Sequence, residues 1–216
     1  MALQVNRKAA DNTLIDYSLT ASTTDAADAR NTNLSIASGP TSAVQMTMNG
    51  ADGEYTKLTG HLTLNVFDFV TVSGDFGIEK KQTTVHVADL ASTTNVDESA
   101  AAINANVLLI GGNNLSAFVG ASGVGVNLSG MSLGVALVTE QVTGNATPRK
   151  WTSVEATVAS ASVQGVSGLT VTVDTMALQV NRKAADNTLI DYSLTASTTD
   201  AADARNTNLS IASGPT

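Results

Sequence analysis

The sequence predicts an all-β protein: a repetitive antiparallel up-and-down meander, stacked into an elongated continuous β array or tube. Three observations predict it. Apolar residues alternate with Thr and Asn at a period of two, Gly-containing breakers punctuate the alternation, and a long segment of the chain returns unchanged.

Alternation of period two marks a strand with one buried face. The first such run is Val44, Met46 and Met48. The clearest follows, with Leu62, Leu64 and Val66, then Val70 and Val72, against Thr63, Asn65 and Thr71. Val124, Val126 and Leu128 form a third run, Leu133, Val135 and Leu137 a fourth, both interleaved with Gly, where a neighbouring backbone leaves little room. Leu169, Val171 and Val173, with Thr170 and Thr172 between them, close the series.

The dipeptide Ser-Gly reads as a turn because Gly tolerates positive φ. It recurs at Ser38-Gly39, Ser73-Gly74, Ser129-Gly130, Ser167-Gly168 and Ser213-Gly214. Polar breakers alternate with it at Asn49–Gly53, Lys80–Gln82, Thr143–Lys150 and Asn181–Asn187. The pattern predicts about four hairpins per repeat, with Ser-Gly turns at one edge and polar loops at the other. A parallel β-solenoid with Ser-Gly corners is the alternative, and a continuous bent strand through Val72–Phe76 would read similarly. The Ser-Gly spacings of 35, 56, 38 and 46 residues fit poorly with the uniform coil of a solenoid. Two segments, Thr24–Arg30 and Val96–Ile103, place acidic residues before Ala and read equally as capped helical turns or as loops.

Residues 1–41 return letter for letter as residues 176–216. Residues 1–175 are therefore one full repeat period, and 176–216 are the start of the next. No linker rich in Pro, Gly or Ser separates them. The join falls inside the apolar run from Leu169 to Val180, with a one-residue phase shift at Asp174-Thr175. Such a seam suits a continuous stack in which each copy buries its end against the next. Met1 recurs as Met176 inside this run, so Met1 reads as an internal residue of a longer protein, and Met1–Val5 as a strand without its native neighbour.

Composition narrows the function. The formal net charge of −8 disfavours nucleic acid and anionic membranes as partners. Charged residues make up 14% of the chain, while Thr, Ser and Asn fill 66 positions, so small uncharged groups must cover the surface. Aromatics at 4% leave any core to Val, Leu, Ile and Ala. There is no Cys, hence no disulfide, thiolate metal site or Cys nucleophile. No apolar run approaches the length of a membrane span, so this segment is not expected to insert in a membrane.

The stretches Leu62–Lys80, Asn114–Gly120, Lys150–Ser153 and Gly168–Val173 resemble the long tandem repeats of giant bacterial secreted and cell-surface proteins. The resemblance spans about Val44 to Val180. It implies an extracellular or cell-surface location and a structural or adhesive role. The acidic calcium loops and Gly-Gly-x-Gly-x-Asp repeats that often accompany such arrays are absent here, so calcium dependence does not carry over.

The search for chemistry nominates no catalytic, cofactor-binding or metal site. His61 and His86 sit beside apolar strand residues, where a solvated strand histidine is the plainer reading than a base. Gly120–Gly123 reads as a turn in a Gly-rich strand pair, and Gly111–Asn114 lacks the Lys and helix of a phosphate loop. Asn49, Asp52 and Glu54 crowd oxygens into a turn that backbone geometry explains without a cation. Asp25 and Asp28 are weaker still. Trp151, the one Trp of the chain, either stacks on a sugar or covers the end of a strand. The sequence thus predicts a non-catalytic structural unit of a long extracellular or cell-surface filament or tube, without cofactor. Its partners would be adjacent copies of the same repeat, with lateral self-association or surface glycans beside them. The alternative is an adhesin segment binding glycans or a partner surface through loops near Asp52, Arg149 and Trp151.

Overall fold

Eleven strands form among the described residues, in chain order β1 (Ala2–Asn6), β2 (Ser35–Ala37), β3 (Ala43–Gln45), β4 (Tyr55–Val66), β5 (Val70–Val85), β6 (Val87–Ala88), β7 (Ile103–Ala121), β8 (Val124–Glu140), β9 (Lys150–Gln164), β10 (Thr172–Arg182) and β11 (Leu189–Ile190). They come from a computed structural model, which describes residues 1–17, 34–88, 102–144, 146–192, 211 and 213. The chain divides into two units, Met1–Leu3 with Lys57–Thr216, and Gln4–Thr56. Thr24–Arg30 and nearly all of Val96–Ile103, the two helical-turn readings, and Gly214 of the last Ser-Gly pair lie outside the described residues.

The main sheet has seven strands in the order β1-β4-β5-β7-β8-β9-β10. Chain order and spatial order agree, which is an up-and-down meander. The pairings of β5 with β7, β7 with β8, β8 with β9 and β9 with β10 are all antiparallel. This is the all-β antiparallel class the alternation predicts; among the described residues neither a closed barrel nor a solenoid forms.

The turns differ from the prediction. Ser73-Gly74 and Ser129-Gly130 do not reverse the chain, and both lie inside long strands. Lys80–Gln82 is likewise mid-strand in β5. At the Ser-Gly positions the strands carry irregularities: Gly74 has φ 153°, Gly130 has φ 60°, and β5 slips register between Ser73 and Asp75. β7 slips between Gly112 and Ala117, with Asn114 at φ 51°. In β10, Thr175 at φ 61° lies between Asp174, opposite Ser160, and Met176, opposite Val158. On the other side of β9, Ser129 and Met131 oppose the same two residues. These irregularities line up into a crease across the sheet. Each inserts or rotates one residue, so the strand bends and continues. The phase shift read at Asp174-Thr175 is the β10 part of that crease.

Chain reversals occur at other residues. β4 turns into β5 at Phe67-Asp68, with φ of 52° and 55°, and β7 into β8 at Ser122-Gly123, with φ of 53° and 78°. Two successive positive φ values match the twist of antiparallel strands in a two-residue hairpin. The Ser-Gly pairs that do turn are Ser167-Gly168, between β9 and β10, and Ser38-Gly39, between β2 and β3. Thr143–Lys150 connects β8 to β9, and Asn181–Asn187 ends β10, as their polar composition predicts.

Burial is concentrated on one side of the crease. Ala105, Val107 and Leu109 of β7 are inward, with Ala136 and Val138 of β8 and Trp151 of β9 on the same face; Val85, Val87, Ala184 and Ile190 complete the cluster. Beyond the crease, Leu62, Leu64, Val66 and Phe69 of the β4–β5 hairpin are exposed, and Phe67 is 97% exposed at its tip. The alternation there predicts a buried face that these residues do not have within this chain.

The smaller unit, Gln4–Thr56, is built from local devices. β2 and β3 pair as a short hairpin. A 3₁₀ turn at Gly50–Asp52 is capped by Asn49, whose Oδ1 accepts from the Ala51 amide at 2.8 Å. The cap accounts for Asn49 by backbone satisfaction, the plainer reading of that turn.

Candidate functional site: the joint between successive copies

The second copy of the repeated segment supplies part of the core of the first period. Leu189 and Ile190 form β11, which pairs antiparallel with β6, Ile190 opposite Val87 and Leu189 opposite Ala88. Ile190 is 1% exposed. By sequence it belongs to the next repeat; by packing it belongs to this one.

The chain reaches that position through a turn fixed by its own residues. The Ala184 amide donates to the Thr188 carbonyl at 2.9 Å and the Asn187 amide to the Ala184 carbonyl at 3.1 Å. Asp186 Oδ1 accepts from the Thr188 amide and hydroxyl, at 3.1 and 2.6 Å. Asn181 Nδ2 donates to the Ile190 carbonyl at 2.9 Å, tying the end of β10 to β11. Asp followed two residues later by Thr is a self-sufficient turn, because the carboxylate satisfies donors the backbone leaves unpaired.

The first copy repeats these bonds. Ala9 donates to Thr13, Asn12 to Ala9, Thr13 amide and hydroxyl to Asp11, and Asn6 Nδ2 to the Ile15 carbonyl at 3.0 Å. Asn12 and Asn187 share the left-handed conformation, with φ of 66° and 69°. The loop is thus locally encoded, and its surroundings are not. Ile15 is 61% exposed where Ile190 is 1%, and Ala9 is exposed where Ala184 is 6% exposed.

What surrounds the second copy is the end of the preceding period. Trp151, 2% exposed, donates its indole N–H to the Thr188 carbonyl at 3.1 Å, within reach also of the Thr188 hydroxyl at 3.3 Å. The Arg149 guanidinium lies 5.2 Å from the Trp151 ring centre, a cation–π distance. The same guanidinium grips Glu140 with two donors, Nε to Oε2 at 2.8 Å and Nη2 to Oε1 at 2.7 Å, and reaches Asp186 Oδ2 with Nη1 at 3.1 Å. Glu140 and Arg149 flank the loop between β8 and β9, so one fork closes that loop and holds the next copy's turn. Tyr192 adds a hydroxyl bond to Ser153 at 2.9 Å, and the Asp191 amide donates to the His86 carbonyl at 3.2 Å.

The ionisations follow from these contacts. The bonds from Arg149 hold the Glu140 carboxyl below its usual range. Burial works against ionisation of Asp186, yet the Thr188 donors and Arg149 outweigh it and hold its carboxyl low as well. Arg149 is raised further above its already high value, first by Glu140. Burial raises the Tyr192 phenol.

Of the residues the sequence nominates, Arg149 and Trp151 meet here. Trp151 lies within β9 as part of the core, 2% exposed, and presents no open ring face of the kind a stacked sugar needs. Asp52, in the smaller unit, is exposed on its 3₁₀ turn. His86 contributes its carbonyl to the joint. The sequence does not reveal the joint itself, although Asn181–Asn187 reads as a polar breaker, because the partners of its turn lie 37 residues away along the chain.

One further polar cluster also escapes sequence reading. On the β4–β5 hairpin, Ser73 Oγ lies 3.2 Å from His61 Nε2, and His61 Nδ1 lies 3.1 Å from Asp75 Oδ1. The order of atoms is that of a Ser-His-Asp relay. The His61 side chain, however, is 64% exposed on an open sheet face, and Thr63 shares the Ser73 hydroxyl at 3.0 Å. Hydrolysis by such a relay needs a site that holds an acyl group and donors aimed at its oxyanion; cross-strand polar pairing accounts for these three residues without it. Among the described residues no three His, Asp or Glu side chains gather as a metal site, and no helix is long and apolar enough to cross a membrane. Comparison with protein families, with curated proteins and with solved structures finds no match to this chain.

Proposed function

We propose that this chain is a structural repeat segment of a long extracellular or cell-surface bacterial filament or tube, and that it carries no catalysis. One observation supports this above the others: the second copy's turn and β11 fill the core of the first period, so successive copies interlock. A module built to act alone keeps its core within its own sequence. Here, burying Ile190 and Ala184 against Val85, Val87 and Trp151 removes apolar surface that a lone period would leave wet. Interlocking of this kind favours length and stiffness, because bending at a joint would open a packed core where a flexible linker would simply rotate.

The adhesive alternative draws little support from this geometry, since Arg149 and Trp151 are engaged in the joint. Electron microscopy of the native protein tests the proposal. Continuous fibres or tubes of even width are expected; globules strung on flexible tethers would refute it.

A further inference from the structure

The joint is occupied in this chain by residues 181–192, yet the chain holds a second, identical candidate for the same place. Residues Asn6–Tyr17 have the sequence of Asn181–Tyr192, form the same turn with the same hydrogen bonds, and leave Ile15 in solvent. We propose that the socket formed by β6, Trp151, Arg149 and the ends of β7 and β8 accepts this segment from any copy, so that a second molecule's Asn6–Tyr17 joins two chains end to end. The proposal deepens the filament reading and rests on it for its biological meaning, though not for its chemistry.

The directions of the backbone bonds make the segment suited to two partners at once. In the first copy the Tyr17 amide donates to the Met48 carbonyl at 2.8 Å, and Asp16 Oδ1 accepts from the Gly50 amide at 3.1 Å, both within its own repeat. In the second copy it is the Asp191 amide, equivalent to that of Asp16, that donates to His86 of the preceding repeat. Adjacent amides of an extended chain point to opposite sides. One edge of the segment therefore faces its own repeat and the other the preceding one. The apolar member follows the same division: Ile15 is free in the first copy, and its counterpart Ile190 is in the socket.

The electrostatics agree. Asp11, like Asp186, is held ionised by its Thr two residues on. It would arrive at Arg149 as the anion that Arg149 already binds. A head-to-tail contact of this kind does not close on itself and extends as an open filament. Within one chain the resident second copy wins by proximity, since a tethered segment has a high effective concentration. A copy with no successor in its own chain offers an open socket.

The test uses the full chain with one copy of the segment disabled at a time. Val180→Pro with Ile190→Asp disables the second copy; Val5→Pro with Ile15→Asp disables the first. Mass by light scattering and the emission of Trp151, the only Trp in the chain, are the readouts. Disabling the first copy should leave a monomer with Trp151 buried as before. Disabling the second should give dimers and longer chains with Trp151 still buried. Disabling both should give a monomer with red-shifted emission, and a peptide of residues 176–192 should shift that emission back to the blue, whether the variant is folded alone or folds on binding. A second-copy variant that stays monomeric with exposed Trp151, or a both-copy variant that shows no blue shift at saturating peptide, would overturn the proposal. Neither result bears on fibres seen by microscopy, so failure of the socket and failure of the filament reading are separable.

Discussion

The Trp151 indole N–H and the Thr188 carbonyl, 3.1 Å apart, are joined across the boundary between two copies of one repeat. The bond is part-buried and its acceptor is backbone, so it depends on the place of residue 188 more than on its side chain, whose hydroxyl lies 3.3 Å from the same N–H. It ties Trp151, the largest fully buried side chain among the described residues, to the turn of the second copy.

Replacing Trp151 should therefore loosen the joint in two stages. Trp151→Phe keeps a ring in the socket and loses the hydrogen bond, which costs about 1 to 2 kcal/mol. Trp151→Ala also opens a cavity and should cost about 3 to 5 kcal/mol. Urea titration of each variant by circular dichroism measures both; equal midpoints for the two would mean that the ring's packing counts for nothing.

Removing the overlap should have the larger effect. A chain ending at residue 175 lacks Ala184, Ile190 and the rest of the lid over Val85, Val87 and Trp151. It should aggregate or unfold at lower urea than the 216-residue chain. Equal midpoints for the two chains would remove the case for interlocked copies.

The two Asp residues of the repeated turn offer a comparison free of local sequence effects. Asp11 and Asp186 make the same bonds to Thr, and only Asp186 reaches Arg149. Asp186→Asn should destabilise by about 1 kcal/mol more than Asp11→Asn, a modest difference because the pair is partly solvated. Much of it should vanish in Arg149→Met, and a double-mutant cycle would reveal that coupling.

Acid should weaken the joint. Glu140 and Asp186 both ionise more readily in the folded chain than in the unfolded one. Their contribution is complete above the unfolded carboxylate values, about pH 4, and is lost as pH falls through the lower folded values. The urea midpoint should therefore fall as pH drops below about 4, and less steeply in Arg149→Met. An unchanged slope in that variant would show that the fork does not hold the joint.

Glycine at the crease should tolerate less than glycine at a hairpin tip. A Cβ at Gly130 would lie 2.7 Å from Ala159 Cβ, whereas one at Gly123 would meet nothing within 4 Å; both have positive φ. Gly123→Ala should cost about 1 kcal/mol for the conformation alone. Gly130→Ala should cost more, by an amount set by how far β9 can move. Thermal melts of the two variants check the order.

The Ser73-His61-Asp75 relay should be inert. Wild-type chain and Ser73→Ala should cleave p-nitrophenyl acetate at the same slow rate. A burst of nitrophenol that disappears in Ser73→Ala would show an active serine and revise the non-catalytic reading.

Much of this protein is legible from its residues in order. Alternation of Val and Leu with Thr and Asn marks strands because a pleated chain places successive side chains on opposite faces, and that holds wherever the strand later sits. The Asp-Asn-Thr turn forms identically in both copies because all of its partners lie within a few residues. The phase shift at Asp174-Thr175 is visible for the same reason: Thr175, at φ 61°, turns the strand at the very residues whose parity changes, without a slip of register against β9. Ser-Gly, by contrast, has two outcomes, a reversal at Ser167-Gly168 and a crease at Ser73-Gly74. The dipeptide supplies only permission for unusual φ; whether the chain turns or bends depends on the neighbouring strand. The clearest division is between Ile15 and Ile190. Identical sequences give them the same local backbone, and tertiary structure alone decides that one faces water and the other sits beside Trp151 and Val87, because burial is a property of what packs against a residue and not of the residue itself.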